Sequence, residues 1–375
     1  MPSLRKRLID SAARLRPRPP VCTSVAEWAE TTGHAPVTSL APARTFTRRP
    51  PRTLLPEIAD LYIQRLTGTQ HARYVVPVGG ARLVGRAGLV VLPDGSYAAE
   101  SAANAEVLAA QRDYLRPPKR PTVTMPGDYY SMLVVWSVKG NYYHWTHDTL
   151  TRAYRIHEHL PPDTRFVVPA GLSAWQRDTL DAVGVTEDRR VEFDGETEWE
   201  LERLHLAPST TNSGSDRPDV DAWLRDAIVD AYGITPGPPV RRIHISRREA
   251  RKRRLVNEDA VEAVLDELGF ETCIAERLSH REQVARFAEA EVIVAAHGAG
   301  LTNALFAPPG SRVLDILEPK KLYQGYIFWS LADARDQEYW YMVGDSVERE
   351  TMENDTFVPI DTLRATLTAM GLDHR

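Results

Sequence analysis

EVIVAAHGAGLTNALFAPPGSRVLDIL, residues 291–317, decides the fold. Residues 291–296 are short, apolar and β-branched, which predicts a buried strand. They run directly into His297-Gly298-Ala299-Gly300, and apolar spacing through Leu301, Leu305 and Phe306 predicts a helix. Pro308-Pro309-Gly310 stops that helix, and residues 313–317 predict the next parallel strand. A glycine-rich turn between strand and helix lets backbone come close to a ligand. It also points free N–H groups at an anion. Phosphate is the natural anion, and a nucleotide-activated substrate is the natural carrier of phosphate. A tight turn with no ligand is the plainer alternative.

The same alternation extends on both sides of this stretch. Toward the N-terminus, strands are predicted at 241–246 and 270–275, with helices at 258–268 and 281–290. A proline-rich break at 236–239 and a predicted helix at 221–232 precede them. A further series has strands at 131–138, 165–169, 190–193 and 201–206, with helices at 142–160 and 174–183. The polar stretch 208–215 separates the two series as a loop. Strands separated by helices imply right-handed crossovers and parallel sheets covered on both faces. The fold class expected is therefore α/β, with two Rossmann-like halves facing across a cleft. Ligands of such sheets bind beyond the carboxyl ends of the strands.

Four regions are expected. Residues 1–75 form an irregular N-terminal extension, with short helices near 25–30 and 57–66. Residues 76–215 form the N-terminal α/β domain, entered by a hairpin over 82–100 that turns at Asp94-Gly95. Residues 216–330 form the nucleotide-binding domain. Residues 331–375 supply a strand and a helix that pack back on the first domain.

The chain has 375 residues, too many for one ordinary core. Hydrophobic content of 43% and charged content of 26% fit a globular protein. A net charge of -5 argues against a non-specific nucleic-acid binder. Cys22 and Cys273 are the two cysteines, so a disulfide framework is not expected and a reducing, cytoplasmic compartment is. No apolar run is long enough to span a membrane. The basic N-terminus (Arg5, Lys6, Arg7, Arg14, Arg16, Arg18) reads as a solvated tail, with peripheral membrane contact as the alternative. A homodimer is left open.

Three further motifs carry chemistry. Six of the eight residues 247–254 are Lys or Arg, placed at the carboxyl end of the strand 241–246. Guanidinium forks match phosphate oxygens, so Arg247 and Arg254 are the chosen ligands of a phosphate, with Asn257 as the following helix N-cap. Asn141-Tyr-Tyr-His-Trp-Thr-His-Asp148 places His144 and Asp148 four apart, on one helix face. An imidazole beside a carboxylate suits general-base work. Tyr142, Tyr143 and Trp145 suit either the core or a sugar face, and His147 lies three residues from His144 without an evident third metal ligand. Asp219-Val220-Asp221 has the spacing of a cation-binding pair, but N-capping explains it without metal. A dinucleotide fingerprint is incomplete, because Asn303 occupies the third glycine position, although Asp315 lies where a ribose-binding acid would fall.

Together, His244-Ile-Ser-Arg-Arg248, Arg254-Leu-Val-Asn-Glu258, Glu282-Gln283, His297-Gly-Ala-Gly-Leu-Thr-Asn303 and Asn141-Tyr-Tyr-His144 with Asp148 resemble the pattern of glycosyltransferase family 61 (the DUF563 type). The resemblance covers about residues 80 to 320. It implies a GT-B-like arrangement and inverting, metal-independent transfer from a nucleotide sugar, usually a UDP-sugar, with no cofactor. It implies a donor site of Ser246, Arg247, Arg254, Asn257, His297, Gly298, Ala299, Gly300 and Asn303, with Asp315 or Glu318 meeting the ribose. Many members carry Glu where this chain has Asp315. Asp148, assisted by His144, is the implied catalytic base, and Asn141, Tyr143, Trp145 and His147 would face a hydroxyl acceptor. Two alternatives remain: a non-catalytic nucleotide-sugar or glycan binder, and an NAD-dependent oxidoreductase.

Overall fold

Five parallel strands carry the glycine turn. Across the sheet their order is Phe270–Cys273, Arg241–Ile245, Ala290–Ala296, Arg312–Leu317 and Glu338–Val343. Counted along the chain this is 2-1-3-4-5, so the winding reverses between strands Arg241–Ile245 and Ala290–Ala296. The computed structural model describes residues 18–115, 120–137, 140–209, 214–348 and 354–372. Strand Ala290–Ala296 shows why the sheet is two-sided. Val292, Val294 and Ala296 enter one apolar cluster, and Ile293 and Ala295 enter another. Alternate side chains point to opposite faces, so both faces are buried. One face is covered by helices Glu258–Glu267 and Ile360–Ala369, through Val261, Val264, Leu363 and Leu367.

The second sheet is mixed and nine-stranded. Strands Glu198–Leu206, Thr122–Ser131, Arg165–Pro169 and Arg190–Phe193 run parallel, and Arg73–Val84 pairs antiparallel with Glu198–Leu206. The hairpin at Asp94-Gly95 is present, with Val91 opposite Tyr97 and Gly95 at φ 85°. The largest apolar cluster is continuous between the sheets. It holds Tyr130, Met132 and Phe166 from one side and Ile243, Ile293 and Val313 from the other.

Four expectations are corrected. The strand expected at 131–138 lies instead at Thr122–Ser131. Pro-Gly commonly marks a turn, but here the strand absorbs Pro126-Gly127 at a register shift, with Gly127 at φ 97°. Met132, Leu133 and Val135 are buried in three different clusters as an irregular connection, while Val138 lies outside the described residues. The helix expected at 142–160 is a π-helical turn, His144–Thr149, followed by short 3₁₀ turns at Leu150–Ala153 and His157–His159. Arg155 at φ 57° breaks it.

The N-terminal extension is not irregular where described. Val21–Cys22 pairs with Tyr97–Ala98, and Thr38–Ala41 with Arg73–Val84. Arg5, Lys6, Arg7, Arg14 and Arg16 of the basic tail lie outside the described residues. Finally, the described strand and helix of residues 331–372 join the five-stranded sheet instead of packing back on the N-terminal α/β domain. Glu338–Val343 becomes the fifth parallel strand, because its aromatic and apolar side chains fit a doubly covered sheet. The extension reaches this edge instead: Arg52 N donates to Tyr339 O, and Tyr341 N donates to Arg52 O. Cys22 and Cys273 are not bonded to each other. Among the described residues no helix is long and apolar enough to cross a membrane.

Docking of the C-terminal helix is testable. Leu363 is fully buried between that helix and Glu258–Glu267. Leu363→Ala should lower unfolding free energy by about 3 kcal/mol in urea titration. An unchanged midpoint would mean the helix does not belong to this core.

Candidate functional site

The reversal of strand order brings two loops together at the carboxyl ends of Arg241–Ile245 and Ala290–Ala296. Ser246 is buried, and its Oγ accepts a bond from Arg248 N at 3.2 Å. The Arg247 main-chain N–H donates to Glu258 Oε1 at 2.8 Å. Its guanidinium folds back over the loop, donating from Nε to Arg253 O and from Nη2 to Lys252 O. Nη1 then lies against Gly298, where an added Cβ would fall 2.2 Å from it. A Cβ at Gly300 would fall 3.0 Å from Ile245 Cγ2. The two glycines are therefore needed for close approach, since Gly298 is in ordinary extended backbone. Arg253 Nη1 lies 3.5 Å from His297 O.

The expected helix at 301–306 is a 3₁₀ segment, Ala299–Leu305, too short for a helix dipole to count. Positive charge at the turn comes from the Arg247 and Arg253 guanidinium groups, not from a helix dipole.

Several predicted donor residues sit elsewhere. Arg254 pairs with Asp355 at 3.6 Å, and Arg253 rather than Arg254 meets the turn. The Asn257 amide is engaged at both ends by the Val358 main chain, which is why it makes no side-chain cap. Asp315 is fully buried in its strand and receives His297 Nδ1 and Tyr339 Oη, each at 2.9 Å. It orients the imidazole and does not reach a ribose. Glu318 is buried beside Asn354.

Asn303 is buried and closes a hydrogen-bonded chain across the molecule. Tyr142 Oη donates to Asn303 Oδ1 at 2.9 Å, and Asn303 Nδ2 donates to Gln283 Oε1 at 3.1 Å. Because the Tyr142 proton is used, its oxygen accepts from His280 Nε2 at 3.1 Å. His280 Nδ1 is then the acceptor for Tyr232 Oη at 2.8 Å. This ordering requires neutral His280, and burial lowers its pKa to about 4.

A cavity of about 610 Å³ opens beside this chain. Tyr142, Trp175, Tyr232 and His280 wall it, and Ala299 and Gly300 form part of its lining. Its residues come from connections of both sheets. Of these, Trp175, Tyr232 and His280 carried no readable sequence signal, whereas Gln283 lay within a motif.

On the side of the nine-stranded sheet, His144 Nδ1 meets Asp148 Oδ2 at 2.6 Å. The Asp148 side chain is 4% exposed and that of His144 21%. Burial raises the Asp148 pKa, opposed by the bond from His144. Trp136 stacks on the His144 ring at 5.2 Å. Asn141 is exposed and caps His144 N. Tyr143 and Trp145 are core residues, bonded to Gly214 N and Thr179 Oγ1 respectively, and do not face a ligand. His147 is fully buried against Asp216 and Asp221. Burial alone favours its neutral form, but the two carboxylates override this and lift its pKa to about 10. Asp219 pairs with Arg217 on the other side of its helix, so it does not act with Asp221 as a cation pair.

Residues 142–314 match the family model described as Glycosyltransferase 61. A beta-1,2-xylosyltransferase, XAX1, of Oryza sativa subsp. japonica is 29% identical over 208 residues, covering 49% of this chain and 36% of the relative. A second, XYXT1, from the same organism is 26% identical over 198 residues, covering 48% and 42%. The alpha-1,3-arabinosyltransferase XAT2, also from rice, is 33% identical over 95 residues, covering 24% and 16%. The chain thus spans less than half the length of each of these curated relatives.

The depressed His280 pKa carries a sign. Above pH 6.5 the imidazole is neutral folded and unfolded, so no penalty exists. Between pH 6.5 and 4 the unfolded chain takes up a proton that the fold refuses, and stability falls by up to about 3 kcal/mol. His280→Asn should flatten that part of the stability-against-pH curve; equal slopes for both proteins would place His280 outside the buried chain.

Proposed function

Residues 142–314 belong to the glycosyltransferase 61 family, and on that premise we propose that this protein transfers a sugar from a nucleotide donor to a hydroxyl acceptor. One observation carries the reading. The Tyr142–Asn303 bond ties the segment bearing His144 and Asp148 to the segment bearing Gly298 and Gly300. A proton acceptor and an anion-binding turn are thereby held in one framework. The two sheets serve as the two halves of a GT-B-like arrangement, with the cavity at Tyr142, Trp175 and Gly300 between them.

The donor is a nucleoside diphosphate sugar, UDP being the first to test. Its diphosphate lies on the Gly298–Gly300 main chain, with Arg247 and Arg253 supplying positive charge. Guanidinium groups fixed at the developing charge make a bridging cation unnecessary there. His297, held by Asp315, points its remaining nitrogen for phosphate or sugar contact. The relatives' names put pentoses first among the sugars to try.

Transfer proceeds by single displacement. The acceptor oxygen attacks the anomeric carbon, the bond to the diphosphate breaks, and the configuration inverts. Exposure favours His144 Nε2 as the atom that takes the acceptor's proton, with Asp148 behind it holding Nδ1 and stabilising the imidazolium. This reverses the expected order of the pair.

Two measurements test the reading. His144→Gln should lower kcat by about 10²-fold or more while UDP affinity changes little. Turnover near wild type, with Asp148→Asn inactive, would return the base to Asp148; no transfer or donor hydrolysis by the wild type would leave a binding protein. Gly298→Ala forces Arg247 to move and should weaken UDP binding by about tenfold, near 1.4 kcal/mol by calorimetry. Unaltered affinity would remove the turn from the donor site.

A further inference from the structure

Behind the His144/Asp148 pair, three fully buried ionisable side chains from separate elements converge. His147 comes from the π-helical turn, Asp216 from the approach to helix Pro218–Ala231, and Asp221 from that helix's first turn. His147 Nδ1 lies 3.1 Å from Asp216 Oδ1 and 3.6 Å from Asp221 Oδ1. One ligand atom from each residue falls within 4.8 Å of the others.

The surroundings fix the backbone but leave the carboxylates unsatisfied. Asp216 N donates to Ser330 Oγ, and Asp216 O accepts from Gln70 Nε2. The buried Arg48 guanidinium, close by, donates to Gly214 O and Ser330 Oγ instead. His147 faces both acids as an ion pair, yet among the described residues no group makes a well-angled hydrogen bond to any of the four carboxylate oxygens of Asp216 and Asp221. Burying two carboxylates against one imidazole is costly.

We propose that His147, Asp216 and Asp221 bind one divalent transition-metal cation of the zinc or manganese class as a structural site. Zinc bonds of about 2.1 Å arranged tetrahedrally put neighbouring ligand atoms about 3.4 Å apart, and the observed 3.1 and 3.6 Å straddle that separation. A divalent cation displaces the proton that His147 holds between the two acids, and the neutral imidazole, two carboxylates and cation then sum to zero charge, which burial favours. The second oxygen of either aspartate completes a fourth position. Closure from solvent suits a structural ion rather than one that activates substrate. Such an ion stands apart from the donor diphosphate. It pins the turn that carries His144 and Asp148, His147 being Asp148's neighbour, to helix Pro218–Ala231.

The test needs no sugar substrate. Untagged protein purified without chelator should contain about one zinc or manganese per chain by mass spectrometry. Asp221→Asn should lose it, whereas Asp219→Asn, whose carboxylate pairs with Arg217, should keep it. Because Asp221→Asn risks misfolding, chelator-stripped wild type is the second arm. Its melting temperature should rise by several degrees on adding zinc or manganese chloride. Metal below about a tenth of an equivalent in wild type, with no thermal response to either cation, would overturn the site. So would full metal content in folded Asp221→Asn.

Discussion

How closely two side chains can approach one glycine turn governs the loops at the reversal of strand order. At the reversal of strand order, the loop after Arg241–Ile245 and the turn after Ala290–Ala296 face the same space. Arg247 reaches over that space, held by Arg253 O and Lys252 O, and lies where a side chain at residue 298 would be. A Cβ at that position would make the guanidinium move away. Gly300 answers the same constraint one turn on, against Ile245. This packing gathers the Arg247 and Arg253 guanidinium groups at the turn without any long helix aimed at it.

The second constraint is that both sheets share polar connections as well as a core. The chain Tyr232, His280, Tyr142, Asn303 and Gln283 passes from one set of connections to the other. Each proton in it has one direction, so the geometry of every member depends on the next. A single uncharged histidine keeps that order. The Tyr142 end lies two residues from His144, and the Asn303 end three from Gly300. Packing is thus coupled to the placement of the His144/Asp148 pair and of the Gly298–Gly300 turn.

Legibility in the sequence followed burial. Strands covered on both faces, such as Arg165–Pro169 and Ala290–Ala296, show as β-branched runs and were readable to within a residue or so. Thr122–Ser131 was not, because Pro126-Gly127 is locally a turn signal and only the register shift opposite Arg203 makes it a strand. The π-helical turn kept His144 and Asp148 together, so the pairing was legible although the helix type was not. The choice between Arg253 and Arg254 had no sequence signal. It depends on Arg253 at φ 58°, a conformation set by the loop as a whole.

Burial also decides which polar residue can meet a ligand. Asp315 stands two residues after Val313 on a strand whose every face is covered, so its carboxylate had to be inside. The alternation of an all-parallel sheet already contained that conclusion. Once inside, a carboxylate needs partners, and His297 and Tyr339 provide them. The His144/Asp148 pair repeats the arrangement: a buried acid fixes an imidazole whose outer nitrogen is nearer solvent. In both places the acid acts through the histidine. A search for ligand contacts in this fold should therefore begin from the imidazoles and treat the acids behind them as their supports.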